Sequence, residues 1–355
     1  MSILDRTDAF CRRFGIRIPI LLAPMAGASA PALSIAVANA GGLGACGALP
    51  MRPDEIVQWA ATVRASSNGA FQMNLWIPDP PPVRDAAREA QVREFLAQWG
   101  PSVPDDAGNA APPDFSAQCE ALLESAAPVV SSVMGLYPPS FLARLEARGI
   151  AWFAAVSTVK EAKAAEAAGA DAIVAQGMEA GGHRAAFAAG KAERELVGLF
   201  SLVPAVVDAV GIPVVATGGI ADARGIAAAL TLGASGVQIG TGFLRCPEAG
   251  IPPAWADAIG RSAPEDTIVS RVFSGRAGRS LSTAYVRAAT AEDAPTPAAY
   301  PVQRALTAPM RAAAQQAGDV ERMQAWAGQS AAFACAEPAA SLVNRLWHEA
   351  RALIR

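Results

Sequence analysis

Residues 20–47 read ILLAPMAGASAPALSIAVANAGGLGACG and contain the first repeat of the fold. The apolar run Ile20–Leu22 predicts a strand, and the segment after it has Pro31 and Gly41 where a helix would begin and end. A second apolar run, Leu43–Cys46, predicts the next strand. No charged side chain occurs between residues 18 and 51, but four prolines interrupt the stretch. It therefore indicates a buried strand–helix–strand unit and not a membrane span.

The same alternation continues along most of the chain. Short apolar strands are separated by alanine-rich helices, and Thr158 and Asp222 are the predicted N-caps of two of them. Eight apolar strands with helices between them are typical of a parallel (β/α)8 barrel. We therefore predict an α/β fold, a TIM barrel, with these strands: Ile20–Leu22, Leu43–Cys46, Phe71–Leu75, Val129–Ser132, Trp152–Val156, Ala172–Ala175, Pro213–Ala216 and Gly236–Ile239.

Two segments depart from a minimal barrel. Residues 76–113 are rich in Pro and Asp, and we predict an insertion after the third strand with a helix around Asp85–Trp99. From about Ile251 the alternation stops, and helices are predicted over Pro301–Ala317 and Asp319–Ala327. The predicted organisation is a barrel over residues 1–250 and a smaller, mainly helical accessory segment over residues 251–355 that packs on the barrel mouth.

The composition excludes several classes of protein. The chain has 355 residues, of which 52% are hydrophobic and 17% are charged, so general disorder is excluded. A net charge of −3 with only three lysines argues against a nucleic-acid partner. The five cysteines are scattered without metal-type spacing, and no apolar leader begins the chain, so we expect reduced thiols, no metal site, no membrane association and a cytoplasmic location.

The chain contains only two histidines, His183 and His348. His183 follows the sixth predicted strand, at the face of a barrel where active sites lie. The preceding glycines, Gly181 and Gly182, let the backbone come close to a flat or anionic ligand. An imidazole at this place can act as a base near neutral pH. We predict that His183 is catalytic and that His348, on the last predicted helix, is a surface residue.

Two glycine-rich loops predict a phosphate site. Gly218 and Gly219 follow the seventh strand, and Gly240 and Thr241 follow the eighth. Loops at these two positions, with a helix N-terminus behind them, bind phosphate through backbone N–H groups in many TIM barrels. One such loop would be explained by a simple turn, but two at neighbouring strand ends favour the phosphate site.

Neutral amides end three of the strands: Asn74, Gln176 and Gln238. Each can donate and accept, which suits the edge of a heteroaromatic ring. The segment Gly42–Gly47 spells G-x-G-x-x-G, but it follows a helix and brackets a strand, so we do not interpret it as a dinucleotide-binding turn.

Five segments together resemble nitronate monooxygenase, formerly 2-nitropropane dioxygenase. They are ILLAPMAG at 20–27, FQMNLW at 71–76, EAGGHR at 179–184, GGI at 218–220 and QIGT at 238–241. The resemblance covers about residues 15–247 and resumes near Leu306 and Trp326–Gln329. This chain departs from the family at Ala185, where the family usually has glycine. We expect Trp326 to be a packing residue of the tail.

The resemblance implies that the barrel binds FMN and that His183 is the active-site histidine, which in some members removes a proton and in others orients the substrate. By the same resemblance, the flavin would contact Ala23, Pro24, Met25, Asn74, Gln176, Gly181, Gly182, Gly218, Gly219, Gln238, Ile239, Gly240 and Thr241.

The implied activity is oxidation of alkyl nitronates, or of nitroalkanes, by dioxygen to a carbonyl compound and nitrite. The partners would be a small-molecule nitronate and dioxygen, and a homodimer is an option that the sequence leaves open. Two alternatives are an NAD(P)H-dependent flavin reductase that acts on quinones or enoyl thioesters, and a barrel that binds a phosphorylated ligand without catalysis.

Overall fold

The computed structural model describes residues 2–354 and contains a parallel eight-stranded barrel. Hydrogen bonding runs in the order β1, β9, β8, β6, β5, β4, β3, β2, and a parallel bridge between Leu21 and Leu43 brings the two ends together. The predicted fold class and all eight predicted strands are confirmed, and each boundary moves by no more than one residue. The barrel strands are β1 (Ile20–Leu22), β2 (Gly44–Gly47), β3 (Phe71–Trp76), β4 (Val129–Val133), β5 (Ala151–Val156), β6 (Ala172–Gln176), β8 (Val214–Thr217) and β9 (Gly236–Ile239).

Helices surround the barrel and begin and end where the sequence indicates. Helix α2 has Pro31 in its first turn and ends at Gly41, whose φ of 108° is in the left-handed region that favours glycine. Thr158 and Asp222 cap α7 and α9 through their side-chain oxygens. The helices up to β9 are α1 (Ile3–Arg13), α2 (Pro31–Ala40), α3 (Pro53–Ser66), α4 (Ala86–Leu96), α5 (Phe115–Glu124), α6 (Pro139–Ala147), α7 (Val159–Ala167), α8 (Leu199–Val207) and α9 (Ala223–Thr231).

The glycines of residues 42–47 serve close packing. A Cβ atom on Gly42 would lie 2.5 Å from the carbonyl oxygen of Ile20, and one on Gly44 would lie 2.8 Å from that of Ser34. Gly44–Gly47 is strand β2 itself and not a strand-to-helix turn. Residues 42–47 are therefore not a dinucleotide-binding turn, as the sequence predicted.

The tail after β9 contains strands as well as helices. Strands β10 (Thr267–Ser270) and β11 (Gly278–Leu281) form an antiparallel sheet that continues onto a two-residue strand after β6, β7 (Gly182–His183). The sequence predicted helices in the tail but none of these strands, and residues 319–327 form turns and a β-bridge at Trp326 where a helix was predicted. The tail elements are α10 (Pro253–Arg261), β10 (Thr267–Ser270), β11 (Gly278–Leu281), α11 (Ala284–Ala289), α12 (Val302–Leu306), α13 (Ala308–Ala317) and α14 (Ala339–Leu353).

The last helix of the tail packs against the barrel helices, whereas the insertion packs against the rest of the tail. The buried face of α14 joins the hydrophobic cluster of α2 and α9, where the eighth helix of a barrel lies, and His348 on this helix is exposed. Helix α4 of the insertion packs Val92 and Leu96 against tail residues, among them Phe273 and Tyr285. The insertion and the tail before α14 thus form one layer. No helix within residues 2–354 is long and apolar enough to cross a bilayer.

Candidate active site

A cavity of about 470 Å³ lies at the C-terminal ends of the barrel strands, between the barrel and the tail. Its size is typical of a cofactor or substrate site. The residues predicted from sequence that line it are His183, Ala23, Pro24, Met25, Asn74, Gln176, Gly181, Gly182, Gly218, Gly219, Gln238, Gly240 and Thr241. Ile239 does not line it, because its side chain is buried in the barrel core and its carbonyl oxygen accepts from the N–H of Ala23 at 2.9 Å.

The two glycine-rich loops form one wall of this cavity. Gly218 and Gly219 both have positive φ, 109° and 65°, so the turn requires glycine at two successive positions. The backbone N–H groups of Gly218, Gly219, Gly240 and Thr241 donate no hydrogen bond to any group in residues 2–354. The loops are tied together, since Thr217 Oγ1 donates to the carbonyl oxygen of Gln238 at 2.9 Å. Four free donors on a fixed wall are suited to an anion such as a phosphate.

The three strand-end amides have different partners. Gln72 Nε2 donates to Gln238 Oε1 at 3.0 Å, which leaves the Gln238 amide nitrogen free. Asn74 Nδ2 donates to Ser131 Oγ at 3.0 Å and leaves its oxygen free. Asn74 and Gln238 thus offer one acceptor and one donor to a ring edge.

Gln176 instead supports the loop that carries the histidine. Its Nε2 donates to the carbonyl oxygen of His183 at 3.1 Å, and its Oε1 accepts from the N–H of Ala185 at 2.8 Å. Both ends of this amide therefore have a partner within the protein, and Nε2 has one further N–H. A contact of Gln176 with a ring edge stays a prediction.

His183 lies on β7 and faces the cavity. Its Nε2 is 2.7 Å from Ser274 Oγ, and its ring packs against Trp76 and Trp326, with centroid distances of 4.5 and 4.8 Å. The pairing of His183 with Gly278 of β11 fixes the backbone beneath the ring. The imidazole is thus oriented by residues from both the barrel and the tail.

The surroundings of His183 keep it neutral. Burial lowers the pKa of His183 to about 3, and the positive charges of Arg276, Arg304 and Arg311 act in the same direction. Both effects disfavour the imidazolium. At neutral pH the side chain is therefore an uncharged hydrogen-bonding group and a weak base.

Two charged residues of the cavity, Arg304 and Arg311, were not predicted from the sequence. Both line the cavity, and no Asp or Glu does so among the described residues. Arg276, behind His183, is paired with Asp79 at 3.2 Å. The spacing of seven residues was the available signal, because it is about two turns of the helix predicted over residues 301–317. The structure divides this segment at Thr307, with Arg304 on α12 and Arg311 on α13. The expectation for Trp326 also changes, since it contacts His183 and lines the cavity.

Comparisons with known proteins agree with one another. The nitronate monooxygenase family profile matches residues 9–349. A probable nitronate monooxygenase of Staphylococcus aureus (strain Newman) is 33% identical over 343 residues, which cover 93% of this chain and 94% of that protein.

Two solved structures extend this similarity to the fold. The nitroalkane oxidase from Streptomyces ansochromogenes is 36% identical with a TM-score of 0.88, and the match covers 98% of this chain and all of that one (100%). FabK from Thermotoga maritima is 28% identical with a TM-score of 0.76, covering 98% and 96% of the two chains. A family match across nearly the whole chain, together with a relative above 30% identity, leads to one conclusion: the chain is an enzyme that belongs to the nitronate monooxygenase family.

Proposed function

We propose that the protein binds FMN and oxidises alkyl nitronates with dioxygen to a carbonyl compound and nitrite. The observation that carries the proposal is the charge of the cavity: His183 is neutral, Arg304 and Arg311 line the wall, and no carboxylate within residues 2–354 does so. A nitronate is an anion, and a positive cavity favours it electrostatically. A homodimer and a cytoplasmic location stay predictions.

Polar groups at the cavity wall support the assignment of FMN. The free N–H groups of Gly218, Gly219, Gly240 and Thr241 would hold the phosphate. A Cβ atom on Gly181 would lie 2.5 Å from the nitrogen of Gly328, so glycine is also required where the histidine loop meets the tail. At the ring edge, the free groups of Asn74 and Gln238 would donate and accept. When bound, FMN supplies the electron transfer from substrate to dioxygen.

The protein supplies position and electrostatics. A neutral nitroalkane must lose a carbon-bound proton before it is oxidised, and an imidazole with a pKa of about 3 is a poor acceptor for that proton. A nitronate arrives already deprotonated. His183, held between Trp76 and Trp326, then orients the substrate. Of the two roles implied by the family resemblance, the orienting role is the one we assign to His183.

Product analysis tests the proposal. Heat should release FMN from the purified protein, and aerobic turnover of propyl-1-nitronate should give propanal and nitrite in equal amounts. The alternative, an NAD(P)H-dependent reductase of quinones or enoyl thioesters, differs in its electron donor, so oxidation of NADH without nitronate separates the two. A protein that releases no flavin and takes up no added FMN contradicts both.

A further inference from the structure

Arg304 is a cationic side chain of the cavity wall that lacks a partner. It lies on α12 and lines the cavity. Its carbonyl oxygen accepts hydrogen bonds from Thr307 and Arg311, but its guanidinium group forms no hydrogen bond or ion pair within residues 2–354. A fork of N–H donors at a cavity wall, without an acceptor from the protein, is suited to a ligand.

Arg311 lies beside it and is held by neutral groups. Its nitrogens donate to Thr307 Oγ1, to Gln324 Oε1 and to the carbonyl oxygen of Arg304, at 3.1, 3.1 and 2.8 Å. These bonds fix the side chain but leave its charge uncompensated. Burial and the charge of Arg304 lower the pKa of Arg311 to about 10, so it remains ionised at neutral pH.

Two uncompensated guanidinium groups at one cavity are costly unless an anion binds there. The cavity wall contains no carboxylate among the described residues, and the nearby Asp79 is paired with Arg276. The ring of Tyr300, four residues before Arg304, lies 5.6 Å from that of Trp76, and Trp76 packs on His183 at 4.5 Å. Arg304 therefore lies on the histidine side of the cavity. The anion therefore belongs to the substrate side.

We propose that Arg304 binds the two oxygens of the substrate's ionised nitro group, with Arg311 reinforcing the field, and thereby selects the nitronate over the neutral nitroalkane. A planar anion with two equivalent oxygens matches the guanidinium fork in a bidentate manner. This inference rests on the proposed function. The inference extends the proposed function by assigning substrate specificity to Arg304, a side chain of the tail.

Butyrate is the probe, because it has the planar two-oxygen anion of a nitronate but cannot be oxidised in the same way, and butyramide is its neutral counterpart. Calorimetry on the purified holoenzyme should show that butyrate binds and that butyramide binds much more weakly. The Arg304→Gln variant should bind butyrate about 10- to 100-fold more weakly, the loss expected when a charged hydrogen-bond partner is removed. Arg304→Lys, which keeps the charge but loses the fork, should lose less.

The matched control is Arg261→Gln, since Arg261 is an exposed arginine at the end of α10, outside the cavity. It removes the same charge and should leave butyrate affinity unchanged. Flavin content and circular dichroism of each variant show whether it has folded. If folded Arg304→Gln binds butyrate like the wild type, or if butyrate and butyramide bind the wild type equally well, the inference is wrong.

Steady-state kinetics then separate this inference from the proposed function. For propyl-1-nitronate, Arg304→Gln should raise KM about 10- to 100-fold with a smaller change in kcat. A wild-type enzyme that does not turn over nitronates contradicts the proposed function, whereas an active wild type with an unchanged KM in Arg304→Gln contradicts only the role of Arg304.

Discussion

The Nε2 atom of His183 lies 2.7 Å from the hydroxyl oxygen of Ser274, a residue of the tail between β10 and β11. Ser274 Oγ is also 3.2 Å from the carbonyl oxygen of Arg276, which can only accept a hydrogen bond. The hydroxyl hydrogen has a partner there, so the serine oxygen can accept from Nε2–H. This arrangement favours one neutral tautomer of His183, with the lone pair on Nδ1.

Loss of the hydrogen bond between His183 and Ser274 should impair turnover without impairing flavin binding. We expect Ser274→Ala to lower kcat with propyl-1-nitronate about 10- to 100-fold, because a ring that is free to turn no longer holds the substrate in position. The control is Ser280→Ala, since Ser280 is equally buried and its hydroxyl donates to the carbonyl oxygen of Leu281. Equal kcat values for wild type and Ser274→Ala, at equal flavin content, would show that Ser274 does not position the imidazole.

The imidazole of His183 should stay neutral throughout the physiological pH range. The chain has only two histidines, so a His348→Gln variant with labelled histidine gives the two ring-nitrogen signals of one imidazole in nitrogen-15 NMR. Both signals should keep their neutral shifts from pH 8 to pH 5, because the pKa of His183 is lowered to about 3. An imidazole that titrates near its ordinary value of 6.5 contradicts the proposed electrostatics of the cavity.

The same lowered pKa has a consequence for stability. In the unfolded chain His183 takes up a proton near pH 6.5, whereas the folded protein resists protonation down to about pH 3. The unfolding free energy should therefore fall as the pH falls through this window, by up to about 1.4 kcal/mol per pH unit, reduced by the partial exposure of the ring. Urea unfolding between pH 7 and pH 4 should show a shallower decline for His183→Asn than for the wild type, and parallel declines would refute the prediction.

Flavin binding should depend on the backbone of the loop after β8. Gly219 has a φ of 65°, and a Cβ atom there would lie 3.1 Å from Cβ of Glu179, so Gly219→Ala strains the turn by about 1–3 kcal/mol and moves its N–H groups. We expect FMN affinity, measured by reconstitution, to fall about 10- to 100-fold.

A suitable control for this substitution is Gly190→Ala, because nothing lies within 4 Å of the added methyl group and the φ of Gly190 is not positive. Gly190→Ala should bind FMN like the wild type. If Gly219→Ala is folded and binds FMN as tightly as the control, the loop after β8 is not the phosphate site.

The barrel was predictable because its signals are local. Each strand is a short apolar run, and residues such as Pro31, Gly41 and Thr158 mark the helix ends within the same few residues. The sheet of the tail was not predictable in this way, since β11 pairs with Gly182 and His183, which lie more than 90 residues earlier in the chain. A two-residue strand leaves no periodic pattern.

The barrel side of the site was predictable for the same reason, but its tail side was not. Strand ends converge in a parallel barrel, so Asn74, Gln238 and the glycine loops could be placed together from the order of strands alone. Arg304 and Arg311 reach the cavity only because the tail folds back over the mouth. For Gln176 the position at a strand end was predictable, but its hydrogen-bond partners were not. They depend on the path of the loop that carries His183.

Anaerobic mixing of the flavin-loaded enzyme with propyl-1-nitronate, beside an identical sample mixed with NADH, measures directly which molecule gives electrons to the flavin. We expect rapid loss of the visible flavin absorbance with the nitronate, slow or no loss with NADH, and bound flavin but slower reduction in His183→Asn. Rapid bleaching by NADH, with no reduction by the nitronate, would contradict nitronate oxidation and favour the reductase alternative.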